Sequence, residues 1–144
     1  MNLEKLIAAF GFIGYLPFFP GTWMSLLTIL GIWFLGVKTQ LVVFVALTLL
    51  GFWVCAPAER AFGTKDPKYF VIDEASGMLL GVLLLPKTVA LYSAAFVLFR
   101  FLDIVKPFFI RSIQKSAHPS SIMWDDLAAG ALTNLVLQLV IRCS

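Results

Sequence analysis

Residues 41–58 run for 18 positions without a charge, close to the roughly 20 apolar residues that a helix needs to cross a bilayer. Such a run has two stable homes, the core of a large protein or lipid. A chain of 144 residues is enough for one domain, and it has too little polar material to wrap such a core. It is 60% hydrophobic and 13% charged, with a mean hydropathy of +0.94, whereas soluble domains are about 25% charged and about 45–50% apolar. The bilayer is therefore the expected solvent. A net charge of +3 is too small for a nucleic-acid-binding surface, and a basic surplus at a membrane favours anionic lipid.

The rest of the chain repeats the pattern. Residues 23–37, 76–85, 89–99 and 127–141 are further apolar runs. Lys38-Thr39-Gln40 and Pro86-Lys87-Thr88 read as tight hairpin connections. Residues 6–19 are apolar but interrupted by Gly11, Gly14 and Pro17, with Pro20 just beyond. The predicted fold is all-α: an integral membrane bundle of about five short transmembrane helices, preceded by a re-entrant or interfacial N-terminal segment. If that segment crosses, the count becomes six. This topology places Lys38, Lys87 and Arg142 on one face. All eight acids and eight of the eleven Lys and Arg residues fall on the other, which the positive-inside rule makes cytoplasmic. Cys55 and Cys143 lie at opposite faces, so no disulfide is expected.

Four polar clusters lie on the acid-bearing face. In the first, residues 17–25, prolines and a glycine precede a helix start, and Thr22 is placed as its cap. Free N–H groups at a helix N-terminus suit an anion, with the Thr22 and Ser25 hydroxyls as added donors. An ordinary capped span start would look the same. The second is Asp73-Glu74, with Asp66 upstream. Adjacent carboxylates raise one another's pKa unless a cation sits between them, and hard oxygen ligands suit Mg²⁺. Against this stands a plain helix start, where acids favour the helix dipole. The third is Arg100, Asp103 and Lys106, on one face of a predicted helix that ends before Pro107; its plain alternative is a ladder of ion pairs at a membrane edge. The fourth is Asp125-Asp126. Two acid pairs and Asp103 on one face of a chain with eight acids point to a divalent-metal site ringed by phosphate-binding cations.

Several chemistries are excluded. Cys55 to Arg60 is one residue short of the C-x5-R loop of cysteine phosphatases, the lone His118 lies next to Pro119 in a loop, and no D-x-D-x-T motif is present. A small cation transporter is the main rival, but transporters keep their charges near mid-membrane, whereas these sit at span ends. A CDP-alcohol phosphotransferase would need a D-G-x-x-A-R signature, which is absent.

Taken in order, the clusters resemble the phosphatidylglycerophosphatase A family of bacterial Mg²⁺-dependent lipid phosphatases. Its P-x-x-P-G-T-x-G-S is matched by Pro17 to Ser25, its D-E-x-x-G by Asp73, Glu74 and Gly77, and its F-R-x-x-D-x-x-K-P-x-P-I by Phe99, Arg100, Asp103, Lys106, Pro107 and Ile110. Its G-I-M-x-D-D-x-x-A-G is matched by Ile122, Met123, Asp125, Asp126, Ala129 and Gly130. Met24, Phe109 and Ser120-Ser121 depart from the pattern without touching a charged position. The resemblance implies hydrolysis of the terminal phosphate monoester of phosphatidylglycerophosphate at the cytoplasmic face of the bacterial inner membrane. It implies Asp73, Glu74, Asp125 and Asp126 as metal ligands, and Asp103 as a further ligand or the base. Arg100, Lys106, Thr22 and Ser25 are the expected phosphate contacts. Attack by water and an aspartyl-phosphate intermediate are both compatible with it.

Overall fold

The computed structural model describes residues 2–144. Among these are seven α-helices, one 3-10 turn and no strand. The helices are α1 (Leu3–Ala8), α2 (Pro20–Ile32), α3 (Val37–Phe62), α4 (Ile72–Val82), α5 (Val89–Val105), α6 (Phe108–Gln114) and α7 (Ser121–Cys143). Each of the five apolar runs supplies one of α2, α3, α4, α5 and α7. Two of these, α3 and α7, are long and apolar enough to cross a membrane, and α2 is a shorter apolar helix. With 26 and 23 residues, α3 and α7 extend about 39 and 34 Å, against a hydrocarbon core of about 30 Å. Of the five crossings expected, two correspond to helices of sufficient length.

The turns differ from the expected ones for identifiable reasons. Helix α3 begins at Val37, so Lys38-Thr39-Gln40 forms its first turn and the reversal lies at residues 33–36. Gln40, buried, donates its amide to the carbonyls of Ile32 and Leu35 at 3.0 and 3.2 Å, and the Lys87 ammonium donates to Trp33 O at 3.0 Å. These side chains satisfy the carbonyls that the end of α2 leaves free. At the other end, α3 continues past Glu59 and Arg60 to stop at Gly63, whose φ of +72° suits a helix terminus. Helix α4 stops at Val82, short of the expected residue 85, because the Asn134 amide of α7 takes the carbonyls of Gly81 and Leu83 at 3.3 and 2.7 Å.

The N-terminal segment contains no helix able to cross. Helix α1 has six residues, about 9 Å, and docks on α3, where Ala8 packs with Val54, Cys55 and Ala58. The chain then turns irregularly, with positive φ at Phe10, Phe18 and Phe19.

Helix α4 is the hub, packed against α2, α3, α5 and α7 and buried nearly all round, as a helix that is apolar on every side beyond its first-turn acids requires. Its contact with α7 is backbone on backbone. A Cβ at Gly130 would lie 2.1 Å from the Gly77 carbonyl oxygen, and one at Gly77 would lie 2.6 Å from that of Asp126. Small residues allow this approach. The outside of the bundle is apolar, with Phe34, Val42, Leu49, Trp53, Val97 and Leu135 all exposed.

Candidate active site

The first turns of α2, α4 and α7 meet the last turn of α5, and the four polar clusters converge there. Asp73 and Glu74 are the second and third residues of α4. Asp125 and Asp126 are the fifth and sixth of α7, inside the helix rather than ahead of it. The Gly77–Gly130 contact draws these helices together just below the acids. As a result one carboxylate oxygen each of Asp73, Glu74 and Asp126 lie within 4.8 Å of one another. Asp103 of α5 stands beside Asp126 and Glu74.

The hydrogen bonds within the site leave some atoms free. Asp73 accepts the Glu74 N–H at 2.9 Å, and Asp125 accepts the Asp126 N–H at 3.0 Å. Glu74 Oε2 and Asp126 Oδ2 are buried without a partner. Arg100 donates to Asp103 at 2.7 Å, while its Nε is buried and unpaired. A buried polar atom without a partner costs about 1–3 kcal/mol, more when charged, so three on charged groups in one cluster make it the candidate ligand site. The oxygens suit a hard divalent cation, and the guanidinium suits a phosphate.

The expected ladder of Arg100, Asp103 and Lys106 divides. Lys106 caps α5 with φ +49°, which carries its side chain off the helix face, and its ammonium meets Asp125 of α7 at 2.6 Å. Burial pulls this ammonium's pKa down, but the bond to Asp125 and the charges of Asp125, Asp126 and Asp103 raise it overall. Asp125 is therefore engaged by a cation from the chain itself, whereas among the described residues no cation pairs with Asp73, Glu74 or Asp126. Ahead of the apolar run of α4, burial and then the Glu74 charge hold the Asp73 carboxyl well above its ordinary range. Burial pushes Glu74 up to about 7 against the pull of its bond with Asp73, with Asp103 adding to the rise and Arg100 opposing it.

At α2 the geometry is tighter than the sequence suggests. The helix starts at Pro20 after Phe19, whose side chain provides no cap, so Thr22 is the third helical residue rather than the cap. The amides of Thr22 and Trp23 both reach Phe19 O, at 3.0 and 3.2 Å. Ser25 is fully buried and donates its hydroxyl to Gly21 O at 2.9 Å. Gly21 itself lies against the site: a Cβ there would sit 2.2 Å from Glu74 Oε1. The sequence marks this contact only by the place of Gly21 between the helix-starting Pro20 and Thr22. Asp66 lies outside the cluster, accepting from Gln114 at 3.1 Å, and His118 bonds with Ser120 in the loop before α7.

Comparison with known proteins places this chain among phosphatases. The phosphatidylglycerophosphatase A family model matches residues 6–141, and the chain belongs to that family. A phosphatidylglycerophosphatase A of Haemophilus influenzae is 38% identical over 124 residues, covering 82% of this chain and 76% of the relative. A phosphatidylglycerophosphatase A of Escherichia coli is 31% identical over 133 residues, covering 88% and 77%. A Bacteroides thetaiotaomicron protein, provisionally named a phosphatidylinositol-3-phosphatase, is 33% identical over 136 residues, covering 86% and 84%. No solved structure matches.

Proposed function

We propose that this chain is a Mg²⁺-dependent phosphatase that converts phosphatidylglycerophosphate to phosphatidylglycerol and inorganic phosphate. It would work as a multi-pass protein of the bacterial inner membrane, with its acid-bearing end toward the cytoplasm. The observation that carries the reading is the trio Asp73, Glu74 and Asp126, with two buried carboxylate oxygens unpartnered, set among Arg100 and Lys106. The family and two relatives named for this activity support the substrate. The apolar exterior of the bundle and the one-sided distribution of charge support the membrane and the orientation.

Asp73, Glu74 and Asp126 would hold the cation. When bound, Mg²⁺ neutralises developing charge on phosphoryl oxygens and lowers the pKa of an attacking water. The unpaired Nε of Arg100 is the donor free for a phosphate oxygen, while the Arg100–Asp103 bond holds the guanidinium in place. Lys106, fixed by Asp125, adds a second positive charge. Asp103, half-buried and next to Asp126, is the group placed to take a proton from water. Thr22, at the half-buried start of α2, would add a hydroxyl donor, whereas Ser25 supports the α2 backbone from within.

The test is phosphate release by the purified protein from a panel of lipid monoesters. The panel should include phosphatidylinositol 3-phosphate, because one relative is named for a phosphoinositide. Phosphatidylglycerophosphate should be the fastest substrate, EDTA should abolish turnover and Mg²⁺ should restore it. Full turnover after exhaustive dialysis against EDTA would sink the metal role, and preference for another lipid would replace the substrate.

A further inference from the structure

We infer that the groove between α2 and α5 is the acyl-chain subsite, through which the lipid substrate reaches the acid cluster sideways from the bilayer. The inference rests on the lipid-phosphatase reading above. The groove has a volume of about 350 Å³ and is walled by Leu26 and Leu30 from α2, by Phe34 from the turn that follows it, and by Tyr92, Ser93 and Phe96 from α5. Its occupant follows from what stands at its upper end. The same two helices carry the site: Thr22 lies one turn above Leu26, and Arg100 one turn above Phe96. A lipid whose phosphate meets Arg100 would have its chain directed down this cleft. From Leu26 to the end of α2 at Ile32 the wall runs about 9 Å, with Phe34 beyond it, enough for the upper part of one chain.

The mouth of the cleft bears a second, independent feature. Phe18 and Phe19 precede α2, and Phe108 and Phe109 follow α5 directly after Lys106-Pro107. All four rings are exposed, by 83, 74, 89 and 49%. Phe18, Phe19 and Lys106 have φ of +60°, +53° and +49°, a region that non-glycine residues enter at a cost and that clusters at functional sites. Two phenylalanine pairs thus flank the site ends of the two helices that form the groove. Aromatic rings at that level suit the boundary between headgroups and chains, where a lipid must tilt to leave its leaflet.

The test fills the groove. Ser93 is exposed on its wall, so Ser93→Phe adds bulk without displacing core. Leu30→Trp does the same from the opposite wall. Val97→Phe, an exposed position on the same helix outside the groove, is the control. Each is assayed with dioleoyl and dihexanoyl phosphatidylglycerophosphate in mixed micelles. Both groove variants should lower the ratio of long-chain to short-chain kcat/KM about tenfold, chiefly by raising KM for the long-chain lipid, and Val97→Phe should leave the ratio at the wild-type value. An unchanged ratio in both groove variants, or an equal fall for both lipids, would overturn the subsite while leaving the phosphatase reading intact. Failure of the wild type to hydrolyse either lipid would overturn both.

Discussion

The two ends of the helix bundle treat their polar side chains differently. At the end away from the acids, Gln40, Lys87 and Asn134 each donate to carbonyls at a helix terminus. Every one of these bonds satisfies backbone that a turn left open. At the acid-bearing end the side chains mostly face one another, and Glu74 Oε2, Asp126 Oδ2 and Arg100 Nε remain buried without partners. In apolar surroundings an unsatisfied group is costly. At the first end the open helix-terminal carbonyls are thus met by side chains and a single hydroxyl, Tyr92 Oη, stays buried without a partner, whereas at the second three charged groups with unpaired atoms are gathered in one cluster. The polar residues of the first should contribute stability, and those of the second turnover.

The strongest way to break this comparison is to remove charge while keeping shape. Asp73→Asn and Asp126→Asn should each fold and insert as wild type yet lose at least about a hundredfold in phosphate release, roughly 2.7 kcal/mol of barrier. Glu4→Gln, on the same face but on α1 and outside the cluster, is the control and should stay within a few-fold. If the motif and control variants behave alike, the acid end is no more than a solvated surface.

A smaller effect separates two glycines at the acid-bearing end. Gly130→Ala drives a methyl into the Gly77 carbonyl at 2.1 Å, and neither backbone can yield without parting α4 from α7. It should lower the melting temperature in detergent and the activity together, at about 1–3 kcal/mol for an overpacked contact. Gly21→Ala meets only the end of the Glu74 side chain, at 2.2 Å, which can rotate away. Its melting temperature should remain near wild type while kcat falls about tenfold, roughly 1.4 kcal/mol, and the Mg²⁺ concentration for half-maximal rate should rise. A large loss of stability in Gly21→Ala would show that Glu74 holds the fold rather than a ligand.

Much of this was legible in the residues. Uninterrupted apolar runs located helices α2, α3, α4, α5 and α7, because hydropathy registers burial in core or lipid alike. The four polar clusters fall at one end because the connections alternate sides. Helix ends were harder to read. Lys38 interrupts a hydropathy run, but a lysine in a first turn leaves a helix intact, so the reversal fell at residues 33–36 instead. Leu83 to Leu85 are apolar yet non-helical, because the device ending α4 is Asn134, fifty residues away in sequence. Pairing was the least legible level. Helical spacing joins Lys106 to Asp103, but a left-handed cap turns it toward Asp125, and no periodicity encodes which way a cap sends a side chain.

The smallest effect belongs to the end away from the acids. Asn134 bonds the Gly81 and Leu83 carbonyls at 3.3 and 2.7 Å, and both residues are buried. Asn134→Leu keeps the size and apolar fit of the position but leaves these acceptors without their donor. A buried acceptor that loses its partner costs about 1–3 kcal/mol. The value should fall at the lower end, because Leu83 O lies beyond the last turn of α4, where the chain can shift toward water or another amide. Asn134 lies two turns along α7 from Asp126, and the rigid Gly77–Gly130 contact stands between. Turnover at saturating lipid should therefore change by less than about twofold, under roughly 0.4 kcal/mol of barrier, while the melting temperature drops measurably. A variant with normal stability and a tenfold loss of rate would mean that the end of α4 transmits its position to the acids, and the division between a structural end and a catalytic end would not hold.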